Sequence, residues 1–146
     1  MSTTSTSVSS ILQDIKSLKI DKYLSEIVSA ILESKLKTST DIASAVEIIS
    51  LLHQRYAEVA VMFKESLLKP MGPPPSTVGM STEQRDREES IRIAKQKSYL
   101  RLLTDLYLSG VINDEGSKPD MGIIGSALKD MVSNKTILYI YILFSL

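Results

Sequence analysis

Apolar residues recur at steps of three and four along most of the chain, and strand-like alternation is absent before its last segment. Ile11, Leu12, Ile15 and Leu18 predict a short helix of about two turns. A second helix is expected to open at Asp21, a residue type that caps helix starts. Its face carries Leu24, Ile27/Val28, Ile31/Leu32 and Leu36. Thr38-Ser39-Thr40-Asp41 reads as a tight connection, because these side chains favour caps over helix interiors. From Asp41 a long stripe follows through Ile42, Val46, Ile49, His53, Tyr56, Ala60, Phe63 and Leu67, with a second ridge at Ala45, Ile48, Leu52 and Val59. A band that wide predicts contact with more than one neighbouring helix, along one bent helix or two broken near Tyr56–Ala57.

Four of the five prolines fall in the stretch from Lys69 to Pro75, which cannot continue a helix and favours an extended linker. Ser81-Thr82-Glu83-Gln84 then has the spacing of a capping box. The charged helix it starts contains the i,i+4 pairs Glu83–Arg87, Arg85–Glu89 and Glu88–Arg92, so its first half is solvated or frayed. An apolar stripe takes over at Ile93 and runs through Leu100, Leu103 and Tyr107, with Tyr99, Leu102 and Leu106 beside it, to a stop at Ser109-Gly110. After a turn cluster at Asn113–Gly116, Pro119 and Asp120 can start a last short helix through Leu128 and Met131.

These signals divide the chain into five parts. A disordered Ser/Thr-rich lead-in spans 1–10, first helical hairpins 11–69, a Pro/Gly-rich linker 70–82, further helices 83–131, and an apolar tail 132–146. The tail is expected to lie outside the hairpin stack. Its core, Ile137 to Leu146, has no charge, Pro or Gly, and its β-branched and aromatic content suits a sticky strand. Val132-Ser133 can be encoded by GTA followed by AGN, the start of many spliceosomal introns, so the tail reads as translated intron. The class is all-α, built from antiparallel helical hairpins.

Composition narrows the function more than it names it. Seventeen Lys+Arg balance seventeen Asp+Glu, which argues against an electrostatic nucleic-acid binder. Without cysteine there is no disulfide framework, zinc ribbon or thiol nucleophile, and one histidine excludes mechanisms needing two imidazoles. Neither a secretory nor a mitochondrial signal opens the chain, since eight of its first ten residues are Ser or Thr and none is basic. Ile137 to Leu146 is about half the roughly 20 residues a membrane helix needs, so no membrane association is expected and cytoplasmic residence is.

Catalytic motifs are missing as well, and the chain is not expected to be an enzyme or to hold a metal, cofactor or small molecule. His53 has no carboxylate one turn away and is expected to be a core or interface histidine bonded to a helix neighbour. Glu88-Glu89 sits on a helix with side chains about 100° apart and reads as solvated charge. Arg92, Lys95, Lys97 and Arg101 are interspersed with acids and read as a solvated face rather than an RNA strip. Pro73-Pro74-Pro75 reads as linker rather than as a ligand for an SH3-like groove.

The stretch from Lys22 to Lys37, with Leu52-His53-Gln54-Arg55-Tyr56-Ala57 in the next helix, resembles the middle-domain family, whose fold takes its name from initiation factor 4G. Within it, the likeness is to the first middle domain of the second up-frameshift family, scaffolds of nonsense-mediated mRNA decay. Arg101 to Ile112, with Asp114-Glu115-Gly116, is similar to that family's third hairpin and its turn. The resemblance runs from about Ile15 to Met131 and implies a HEAT-like stack of hairpins, here an incomplete middle-domain solenoid. It also implies a non-catalytic scaffold of mRNA surveillance, whose contacts with its sister up-frameshift factors lie mainly in regions outside this chain. His53, Gln54, Arg55 and Tyr56 match the family signature, with helix packing as the implied role. An RNA-binding middle-domain module and an unrelated helical-repeat interaction domain stay open as alternatives.

Overall fold

A computed structural model describes residues 3–34, 36–115 and 122–133. Among these residues there are six α-helices and no strand: α1 (Thr3–Ser17), α2 (Leu24–Glu33), α3 (Ser39–Arg55), α4 (Glu58–Leu68), α5 (Thr82–Leu108) and α6 (Gly122–Ser133). The all-α class is the one the apolar periodicity predicts. Helices pack on neighbouring helices and short helical turns, as in a helical-repeat domain. The described residues form two compact units, one within 1–64 and 105–112 and one within 65–104 and 113–133.

In the first unit α1 starts at Thr3, inside the stretch expected to be disordered. Val8 explains the correction: it extends the Leu12–Ile15 stripe back by one turn, so Val8 and Leu12 are half-buried and Ile15 is buried. α1 packs against α3. The next helix also departs from expectation. A 3-10 turn, Asp21–Tyr23, precedes α2, and neither start carries a side-chain cap, so Asp21 does not play the capping role its type suggests. α2 stops at Glu33, where the Ser34 N–H bonds back to the carbonyls of Ala30 and Ile31. Leu36 lies past the helix end yet remains buried.

α3 opens on a complete capping box. Asp41 N–H donates to Thr38 Oγ1 at 3.1 Å, and Thr38 N–H donates to Asp41 Oδ2 at 2.9 Å. The long stripe is then two helices, because the backbone turns extended at Tyr56 (φ −133°, ψ 99°) before α4 begins. Ile49, Leu52, Val59 and Phe63 are fully buried in this unit's core.

In the second unit the linker begins later than the prolines announce. Lys69–Met71 is a 3-10 turn against which α6 packs, and Met71 is fully buried. Gln96, itself fully buried, donates from Nε2 to the Pro70 carbonyl at 2.5 Å. Pro70 and Met71 therefore belong to the packed structure, while residues 73–79 are exposed and non-helical. α5 begins one residue before the expected boundary, capped by Ser81: Gln84 N–H donates to Ser81 Oγ at 3.2 Å, and Ser81 N–H to Gln84 Oε1 at 3.1 Å.

The charged half of α5 is continuous helix. The helix ends in the first unit with a Schellman motif, Val111 N–H on the Leu106 carbonyl and Gly110 N–H on the Tyr107 carbonyl. Gly110 supplies the left-handed backbone this closure needs (φ 77°).

Asn113 accepts from Glu115 N–H in a small turn, and Asp114 Oδ1 accepts from Ile123 N–H at 2.8 Å, capping the first turn of α6. Gly122 holds a left-handed backbone there (φ 64°), and a Cβ on it would stand 2.7 Å from that Asp114 oxygen, which would have to move away from its cap. The proposed start at Pro119 and Asp120 lies outside the described residues. Val132 and Ser133, assigned to the tail by sequence, complete α6 instead. The remainder of the tail, 134–146, lies outside the described residues.

Candidate functional site

The signature residues meet at the end of α3, and two of them act on backbone elsewhere in the first unit. The Arg55 guanidinium donates from Nη1 to the carbonyl of Ile15, one of the last-turn carbonyls of α1 that has no partner within its helix. Tyr56 Oη accepts the N–H of Ile20 at 3.3 Å. The Arg55 guanidinium carbon lies 5.9 Å from the Tyr56 ring centroid, near enough for a cation–π contact that aligns the pair. Together they tie down both sides of the connection between α1 and the Asp21–Tyr23 turn.

His53 and Gln54 do less. Gln54 is exposed. His53 is half-buried rather than fully interior, and its Nδ1 is shielded from solvent without the hydrogen-bond partner the sequence reading gave it.

The connection so fixed forms part of a wall of a cavity of about 510 Å³ in the same unit. Ile11 and Ile15 from α1, Ile27 and Ile31 from α2, and Ala45 and Ile48 from α3 give it an aliphatic lining. Ile11 and Leu18, both lining residues, keep 41% and 55% of their surface in solvent, so the cavity is an open groove. Its polar residues are Asp14, Ser34, Asp41 and Ser44, and none of the described lining residues is basic. Hydrogen bonds from Thr38, its backbone N–H first and its hydroxyl next, and from the Lys37 N–H hold the Asp41 carboxyl below the usual carboxylate value. At neutral pH the rim is therefore anionic.

The chain is 38% identical over 123 residues to the regulator of nonsense transcripts UPF2 of Arabidopsis thaliana, covering 84% of this chain. It is 33% identical over 124 residues to the human regulator of nonsense transcripts 2, covering 85% of this chain. It is 36% identical over 113 residues to nonsense-mediated mRNA decay protein 2 of Saccharomyces cerevisiae, covering 72% of this chain. The chain belongs to the UPF2 family and corresponds to one segment of it. It spans about 9% of the length of the plant and human relatives and 10% of the yeast one. No protein-family profile matches the chain, and no solved structure does.

Within this UPF2-family segment the groove presents an aliphatic surface edged by carboxylates. Among the described residues no group of three or more His, Asp or Glu is placed to hold a metal ion, and no helix is long and apolar enough to cross a membrane. The sequence reading missed the groove and the anchoring roles of Arg55 and Gln96. The signal for Gln96 was present: it falls three residues after Ile93 and three before Tyr99, a polar residue inside an apolar stripe. Such an amide is buried only where it finds a backbone partner.

Proposed function

We propose that this chain serves nonsense-mediated mRNA decay in the cytoplasm as a non-catalytic scaffold segment that works through protein–protein contacts. Its relatives are regulators of nonsense transcripts by name, which supports the decay role. The observation that carries the scaffold reading is the aliphatic groove of α1, α2 and α3, beside the connection that Arg55 and Tyr56 tie down. An aliphatic floor with a rim of Asp14 and Asp41, and with no basic residue among the described lining residues, is complementary to one occupant: an amphipathic helix of a decay-machinery protein, apolar on one face and flanked by Lys or Arg. The family resemblance implies that contacts with the sister up-frameshift factors lie mainly outside this chain.

The test is a chimera in which this chain replaces the matching segment of the yeast decay protein, read out by the half-life of a premature-stop reporter mRNA. The chimera restores rapid decay. Ile27→Asp, which places a carboxylate on the groove floor, and Asp14→Lys, which reverses an exposed rim charge without touching the core, lengthen the half-life at unchanged protein level. A chimera that leaves the reporter stable removes the decay role, and normal decay with both variants removes the groove.

A further inference from the structure

The second unit holds a different groove of about 400 Å³, between the polyproline stretch and the charged half of α5. One wall is Pro73, Pro74 and Pro75, whose rings are apolar and whose nitrogens have no proton to donate. The wall is tied at its root, where Gln96 grips the Pro70 carbonyl and Met71 is fully buried. On the other wall Arg92 keeps only 13% of its side chain exposed. Glu89 takes two of its donors, Nε at 3.0 Å and Nη2 at 2.6 Å, in a bidentate pair. The third nitrogen, Nη1, is buried and has no partner. A guanidinium N–H removed from water without an acceptor is costly, and an entering oxyanion would relieve it with a charge-assisted hydrogen bond.

We propose that this groove receives a carboxylate side chain from an acidic segment of a partner protein, with Arg92 Nη1 as its donor. The charges around it agree. Lys69, Arg85, Arg92 and Lys95 line the groove against two carboxylates, Glu88 and Glu89, and Glu89 is already spent on Arg92. Lys95 stands over the Tyr99 ring, with Nζ 5.4 Å from its centroid. The same inventory disfavours a nucleic acid, which needs a continuous cationic track for several phosphates: the chain's net charge is zero, and the groove mixes both signs. Proline rings and Ile91 give apolar sides for the stem of an acidic side chain.

Fluorescence anisotropy of the whole chain tests it, using a labelled decapeptide of Asp and Glu around a central Leu, its Asn/Gln counterpart, and a single-stranded uridine RNA. The acidic peptide binds about tenfold more tightly than the amide peptide, and more salt weakens it. Arg92→Gln removes about tenfold in affinity. Lys95→Ala, on the exposed face of α5, removes about threefold with helix content unchanged, and carries the test alone if Arg92→Gln fails to fold. Equal binding of acidic and amide peptides overturns the proposal, as does an acidic peptide indifferent to the variants. An RNA that binds more tightly than the peptide and loses affinity with Lys95→Ala also overturns it.

Discussion

The two units secure their irregular segments by different means, and the surfaces they present differ accordingly. In the first, the connection after α1 is gripped on both sides from one place, Arg55 holding the Ile15 carbonyl and Tyr56 the Ile20 N–H. The groove beside it is aliphatic. In the second, the stretch after α4 is held at its root by Gln96 and at its far end by the Ser81 capping box, and residues 73–79 between are exposed. Its groove is made of prolines and charges. A short wall pinned at both ends can select by shape, whereas a longer exposed wall pinned at its ends needs a directed charge contact to add specificity.

The sharpest way to break this comparison is at Met71. If the root of the second segment is core, Met71→Ala costs about 2–5 kcal/mol in urea denaturation, the range for emptying a fully buried methionine site. A cost under about 1 kcal/mol, the range of surface changes, would return Pro70 and Met71 to the linker. The grip in the first unit is expected to be weaker per residue. Arg55→Ala costs about 1–3 kcal/mol, as for a hydrogen bond from a charged donor, and Tyr56→Phe about 0.5–1.5 kcal/mol. If neither variant moves the denaturation midpoint, the signature does not act as an anchor.

Backbone exposure gives a third contrast. Limited proteolysis is expected to cut first within 73–79, where side chains are exposed and no helix protects the amides. The break at Tyr56–Ala57 is also non-helical, but Tyr56 N–H is bonded to the Leu52 carbonyl at 2.7 Å and its ring is half-buried. First cleavage at Tyr56 would invert the assignment of which unit is firmly tied.

Features set by near neighbours in sequence were legible without coordinates. The Ser81/Gln84 box, the glycine stop at Gly110 and the break near Tyr56 all depend on residues within five positions of one another. What escaped depends on distant partners. Gln96 bonds to a carbonyl 26 residues away and Arg55 to one 40 residues away; the stripe around Gln96 marks it as buried, but no local pattern names either partner. The first groove was half legible. The stripe of α2 identifies its apolar face, but only packing decides that Leu24 and Val28 are covered while Ile27 and Ile31 stay half-open. The disordered start failed for the opposite reason, because the Ser/Thr composition outweighed the single apolar residue, Val8, that extends the stripe of α1.

The smallest contrast lies in the two capping boxes, which share a geometry and differ in one ionisable group. Thr38 pairs with Asp41 at α3, and Ser81 pairs with Gln84 at α5. Asp41 is ionised more readily in the folded chain because Thr38 and Lys37 donate to its carboxylate. A depressed folded pKa means that the unfolded chain binds the proton more tightly, so Asp41 contributes stability above its unfolded pKa of about 3.9 and loses it as pH falls through the lower folded value. Gln84 has no proton to gain. The stability gap between the parent and Asp41→Asn is therefore expected to stand at pH 7 and close below about pH 4, while the gap for Ser81→Ala, about 0.5–2 kcal/mol, does not depend on the titration of its own box. Urea midpoints measured from pH 7 downward check both. An Asp41→Asn gap that persists unchanged at pH 2 would mean that the first box holds its helix by hydrogen-bond geometry alone, and that the two caps are chemically equivalent.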